Sequence, residues 1–217
     1  MLKKSGDQAV KLSNDLGQSL RLRRKELGMT LQAVADAAGL TAGFISQVER
    51  GLTAPSLASL VSVSEVLRTP LSVFLKQPKQ SEAATHKASR TAYSITGAGV
   101  SYERLSTTFT SSQLHSVIVH EPPGFRGEPI SHRGEEMFYI IDGEITVEIE
   151  GDVEILRKGD SIHFDSSRVH STWNHGSTTA SVLWCGTMDV FGDAPAPIHK
   201  IASTDGAQNQ SKGEKKT

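Results

Sequence analysis

In the segment SHRGEEMFYIIDG, residues 131–143, His132 stands four positions before Glu136, Glu135 lies between them, and an apolar run follows at once. An imidazole and carboxylates at the start of a strand are groups that can hold a divalent metal or grip a polar effector inside a β-barrel. A carboxylate carried into such an interior needs a metal, a cation or a proton, because an unpartnered charge out of water is costly. Which of these it meets depends on the elements that position it.

The chain has 217 residues, room for one domain or two small ones. Apolar residues make up 37% and charged residues 22%, ordinary for a soluble protein, and no segment approaches the roughly 18 uninterrupted apolar residues of a membrane span. The first twenty residues, MLKKSGDQAVKLSNDLGQSL, lack the apolar core of a secretory signal, so a cytoplasmic location is expected. Cys185 is the only cysteine, which excludes an intrachain disulfide and a multi-cysteine zinc site; in SVLWCG it reads as a small apolar strand residue.

Charge and texture divide the chain. Residues 1–76 carry 10 Lys and Arg against 6 Asp and Glu, net +4, whereas residues 77–217 carry 13 against 18, net −5. A basic first part favours a polyanion partner. Residues 76–91, KQPKQSEAATHKASRT, offer little to bury and read as a flexible linker, while 201–217 read as a disordered tail.

Before the linker, apolar residues recur at helical spacing, as in Leu31, Val34, Ala35 and Ala38, or Leu57, Leu60 and Leu67. Gly28 and Gly39 fall where helices should stop, Thr30 and Thr41 where N-caps should open the next, Pro55-Ser56 where a fourth begins, and Pro70 where it ends. TLQAVADAAGLTAGFISQVERG therefore reads as helix, tight turn, helix. From about Tyr93 the texture changes to short β-rich runs broken by Gly and Asp-Gly turns. In ITVEIEG, Ile145, Val147 and Ile149 share one face, and Thr146, Glu148 and Glu150 the other.

The stretch GMTLQAVADAAGLTAGFISQVERGLTAPSLASL resembles the helix-turn-helix of the lambda-repressor-like, XRE family. The resemblance implies a five-helix domain over 16–75, after an extension at 1–15, with the helix opening at Thr41 entering the major groove. Ile45 and Val48 would then face the core, leaving Ala42, Gly43, Ser46 and Gln47 toward DNA, with Gln47 able to pair bidentately with adenine. Thr30, Gln32, Thr41 and Arg50 complete the expected DNA-binding set, largely as phosphate contacts. Arg24 would pair with Glu49 and lock the first helix against the recognition helix.

The later half resembles the cupins, a double-stranded β-helix or jelly-roll barrel, over residues 92–200. Gly127, His132, Glu136 and Gly143 match the first cupin motif, with six residues between Glu136 and Gly143, but Ile130 stands where its leading histidine belongs. Gly159, His170 and Asn174 match the second motif, with Asp165 and Ser167 replacing its usual proline and glycine. The resemblance implies a metal set of His132, Glu136 and His170, weakened by Ile130 to at most a loosely bound divalent ion. The same pocket is expected to hold an organic effector through Arg126, His132, Glu136, His170 and Asn174. His115, His120, His163, His175 and His199 have no motif role and read as ordinary polar residues.

Together the halves resemble the XRE–cupin transcriptional regulators of bacteria, an α + β multidomain architecture. That resemblance implies a homodimer on a roughly palindromic double-stranded DNA operator, a cupin that senses a small metabolite such as an amine, polyamine or amino acid, repression as the output, and no membrane partner. The competing reading is a metal-dependent cupin enzyme, a dioxygenase or isomerase, carrying a DNA-binding module; the loss of the leading histidine and the fused DNA reader weigh against catalysis.

Overall fold

The computed structural model describes residues 3–96 and 99–192, with residues 3–14 as backbone only. The expected disordered tail, His199 and the end of the expected cupin span lie outside the described residues. Five helices come first: α1 (Lys3–Glu26), α2 (Leu31–Ala38), α3 (Ala42–Glu49), α4 (Leu57–Val66) and α5 (Leu71–Phe74). Because α1 begins at Lys3, the expected N-terminal extension is continuous with the first helix of the domain.

Capping fixes the turn of the motif. The Thr30 and Thr41 hydroxyls accept the Ala33 and Phe44 N–H groups at 3.0 and 3.1 Å, so each satisfies a donor that the first helical turn leaves without a partner. Gly39 closes α2 at φ 68°, a left-handed geometry that side chains disfavour. Pro70 differs from expectation: Leu67 caps α4, Arg68 at φ 49° turns the chain away, and Pro70 stands ahead of α5 instead. Packing explains Gly17, where a Cβ would meet the Val48 carbonyl oxygen and lie 2.8 Å from that of Glu49, so α1 crosses the end of α3 with no room for a side chain.

Among the described residues nine strands follow: β1 (Ala92–Tyr93), β2 (Ser101–Arg104), β3 (His115–Glu121), β4 (Glu135–Asp142), β5 (Glu144–Ile149), β6 (Asp152–Arg157), β7 (Ser161–Asp165), β8 (His170–Trp173) and β9 (Ala180–Gly186). They pair antiparallel in two sheets, ordered β1-β2-β3-β9-β4-β7 and β6-β5-β8. This is the expected cupin jelly roll. On β4 the alternation is clean, with Glu136, Phe138 and Ile140 buried and Met137, Tyr139 and Ile141 exposed. On β5 Thr146 is buried along with Ile145, Val147 and Ile149, because its hydroxyl meets His175 Nδ1 at 2.8 Å.

The two halves share one continuous apolar core. Residues 76–91 form neither helix nor strand but lie along the barrel, where Gln77 donates to the Val190 carbonyl at 2.8 Å, Thr107 donates to that of Gln80 at 2.8 Å, and Arg90 pairs with Glu103 at 2.8 Å. At the start of α4, the Ser56 N–H and hydroxyl both lie 3.0 Å from Glu128 Oε1. A carboxylate thus sits at a helix N-terminus, where the helix dipole favours negative charge.

Candidate functional site

The first site is the surface of the motif. Ile45 and Val48 are buried against the core, while Gly43, Gln47 and Arg50 are exposed and Ala42 and Ser46 half-buried on the same helix. Thr30, Gln32 and Thr41 are exposed at the starts of α2 and α3. A capping threonine keeps its own O–H proton to donate, which suits a phosphate oxygen. Gln32 donates to Asp36 at 2.7 Å, and Arg50 Nε to the Ser46 carbonyl at 3.2 Å.

Arg24 reaches Glu49 through two hydrogen bonds, Nε to Oε1 at 2.6 Å and Nη2 to Oε2 at 2.8 Å, and also donates to the Met29 carbonyl at 2.9 Å. Both side chains are largely buried, and the carboxylate holds the guanidinium above its ordinary value despite the opposing cost of burial. The paired fork fixes the recognition helix against α1.

The second site is a cavity of about 110 Å³ inside the barrel. That is well above the roughly 10–15 Å³ needed to admit one water, so it has room for several waters or one small metabolite. Its walls are chiefly apolar, with Tyr102, Phe138 and Trp184 prominent, and its polar groups include Glu121, Glu136 and His170. One wall is not part of the barrel: Ser56, Leu57 and Ala58, at the N-terminus of α4, close it from the DNA-binding side.

His132, Glu136 and His170 converge, with one ligand atom from each lying within 4.8 Å of the others. Strand parity points Glu136 inward from β4; His132 arrives from the preceding loop and His170 from the start of β8. His132 Nε2 and Glu136 Oε1 are 2.9 Å apart but do not meet hydrogen-bond geometry, so both buried atoms stay unsatisfied. His170 Nδ1 lies 2.9 Å from the Arg168 carbonyl, which selects the Nδ1–H tautomer and leaves the Nε2 lone pair facing Glu136 Oε2 at 3.4 Å.

Burial opposes protonation of both imidazoles. At His132 the adjacent Glu136 carboxylate outweighs it and raises the affinity for a proton; at His170 burial prevails and lowers it. Acceptor atoms aimed at one point without a donor among them fit a divalent cation, which would supply a Lewis-acidic centre there. Ile130 bridges to His170 through two backbone hydrogen bonds, of 2.9 and 3.0 Å, and lines the same cavity, so an apolar side chain stands beside the cluster.

Two expected effector residues are placed elsewhere. Asn174 is buried but spends its amide on loops: Nδ2 donates to the Glu121 and Thr178 carbonyls at 2.8 Å each, and Oδ1 accepts the Gly176 N–H at 2.9 Å. Arg126 is exposed, its guanidinium 4.8 Å from the centre of the Trp173 ring. Four further histidines have partners of their own, His115 with Asp189, His120 with Glu103 and Ser181, His163 with Glu135, and His175 with Thr146.

Sequence reasoning missed Glu121. It ends β3 on the inward side, two positions after Val119, and is 5% exposed. Oε1 accepts the Thr172 hydroxyl at 3.1 Å, while Oε2 has no partner among the described residues. Burial raises its pKa to about 7 against the smaller opposing effect of Thr172. Strand parity was the signal that could have found it; nothing local marks Glu128 or the α4 wall.

A DNA-reading motif packed on a barrel with a small internal cavity defines a regulator class. A helix-turn-helix family model matches residues 20–74, and a cupin domain model matches residues 117–186. HTH-type transcriptional regulator SutR of Escherichia coli is 24% identical over 168 residues, covering 77% of this chain and 92% of that protein. HTH-type transcriptional regulator PuuR of the same species is 25% identical over 177 residues, covering 81% and 96%. A crystal structure of an HTH_3 family transcriptional regulator from Vibrio cholerae shares the fold, with a TM-score of 0.51 at 17% identity over 82% of this chain and 98% of that one. The chain belongs to the XRE–cupin transcriptional regulators. Among the described residues no helix is long and apolar enough to cross a membrane.

Proposed function

We propose that this regulator is a cytoplasmic repressor, binding a roughly palindromic operator as a homodimer, whose cupin cavity senses a small amine-bearing metabolite and changes operator affinity. The observation that carries the reading is the shared wall: Ser56–Ala58 of α4 close a cavity whose other walls belong to the barrel. A molecule entering it touches the DNA-binding domain directly, beside the Glu128–Ser56 contact that holds α4. Ligand affinity then differs between arrangements of the two domains, which is what coupling requires, and typical coupling of about 1–3 kcal/mol corresponds to a 5- to 150-fold change in operator affinity. Three acidic groups lining the cavity, Glu121, Glu128 and Glu136, and a net charge of −5 over residues 77–217 favour a cation over an anion.

Selection from random duplexes would supply an operator, with half-sites roughly 10 base pairs apart centre to centre. Fluorescence anisotropy on it, with and without a panel of amines, amino acids, and neutral or acidic metabolites, tests the reading. An affinity that no amine alters, or that only neutral or acidic compounds alter, defeats it. The His132–Glu136–His170 cluster motivates the enzyme alternative, for which oxygen consumption by an Fe(II)-loaded sample is the discriminating measurement; none is expected.

A further inference from the structure

The geometry points to Glu121, rather than Glu136, as the counter-ion for the ammonium group of the effector. This rests on the amine reading above and assigns the residue that performs it. Glu136 already has two imidazoles beside it, His132 at 2.9 Å and His170 at 3.4 Å, with which it can share a cation. Among the described residues Glu121 has only a hydroxyl: Thr172 meets Oε1, and Oε2 is buried without a partner. Its backbone carbonyl is held by the Asn174 amide at 2.8 Å, which ties down this end of β3.

The other titratable groups lining the cavity are Tyr102, Glu128, Glu136 and His170. Glu128 is engaged by Ser56. None of these groups offers Glu121 a positive charge, and burial leaves it half-protonated near neutral pH, at about 7. An ammonium retains its proton up to about pH 10 and can therefore displace the proton from this acid while its apolar body fills the space lined by Val117, Val119 and Val182. The ligand class is a small primary ammonium with a short apolar body.

Titration calorimetry on the full chain, freed of metal by a chelator, tests this with butylammonium as probe and 1-butanol as its uncharged counterpart. Butylammonium should bind better than the alcohol, E121Q should weaken it at least tenfold, and E136Q should change it less than threefold. Measured at pH 6 in buffers of different ionisation enthalpy, binding should release close to one proton, falling toward zero at pH 8.5. The release should persist in E136Q and disappear in E121Q. If E121Q does not fold, the proton count on the unmodified protein decides, and no release at pH 6 overturns the assignment. Ammonium binding that survives E121Q but is lost in E136Q would transfer the role to Glu136 and leave the amine reading standing. Failure of butylammonium to bind, or a preference for 1-butanol, would remove both.

Discussion

Glu121→Gln should make the barrel progressively more stable than the unmodified protein as pH rises, although it removes a hydrogen-bonded side chain. The carboxyl ordinarily titrates at 4.5 and is pushed up to about 7, by burial first, with the Thr172 hydroxyl opposing. An acid whose folded pKa is raised costs nothing below its unfolded value. The penalty grows between the two values and is complete above the folded one, because the unfolded chain ionises freely where the folded chain resists. Between pH 5 and pH 8 the penalty amounts to about 2–3 kcal/mol, and glutamine, which does not titrate, escapes it.

Any fixed cost of an unpaired amide cancels when the two proteins are compared at both pH values. The assay is urea unfolding followed by tryptophan fluorescence, since the two tryptophans, Trp173 and Trp184, both lie in the barrel and report on that domain. A melting experiment should show the same trend as roughly 5–10 °C, at 2–4 °C per kcal/mol for a chain of this size. A stability difference that stays flat from pH 5 to pH 8 would show that Glu121 is neither desolvated nor short of a partner, and the argument for its role would fall with it.

Gln47→Ala should cost about 1–3 kcal/mol on the selected operator and much less on random duplex, measured by anisotropy; equal losses would remove Gln47 as a base reader. Arg24→Ala leaves the Glu49 carboxylate largely buried without its fork, so the helical domain should lose about 3–5 kcal/mol in thermal unfolding followed by circular dichroism, and a loss under 1 kcal/mol would refute the locking role. The unmodified protein should hold divalent transition metal only weakly, and Ile130→His should tighten it on the order of tenfold or more, the scale on which metal sites respond to supporting groups. Stoichiometric metal surviving dialysis in the unmodified protein would contradict this.

Much of the molecule was legible in the sequence because the rules that specify it act over a few residues. Thr30 and Thr41 cap their helices, Gly39 takes the left-handed turn, and Ile45 and Val48 face inward while Gln47 stays exposed. The cupin resemblance placed Glu136 in the pocket with His132 and His170, and the alternation along β4 is what turns it inward. The Arg24–Glu49 pair was also legible, but only through the family likeness, since the partners are 25 positions apart.

Tertiary structure decided what each polar group in the barrel has left to offer. Asn174 matches the second cupin motif, yet the Glu121 and Thr178 carbonyls, one of them 53 positions away, take its amide. Glu121 looks like any acid at the end of a strand until β9 pairs beside it and Thr172 arrives to cover one oxygen and not the other. The α4 wall depends on how two domains with separate sequence signatures pack together. Capping and alternation are set by near neighbours along the chain, whereas an empty hydrogen-bonding position in a cavity is a property of every segment that closes around it, so only the folded chain reveals it.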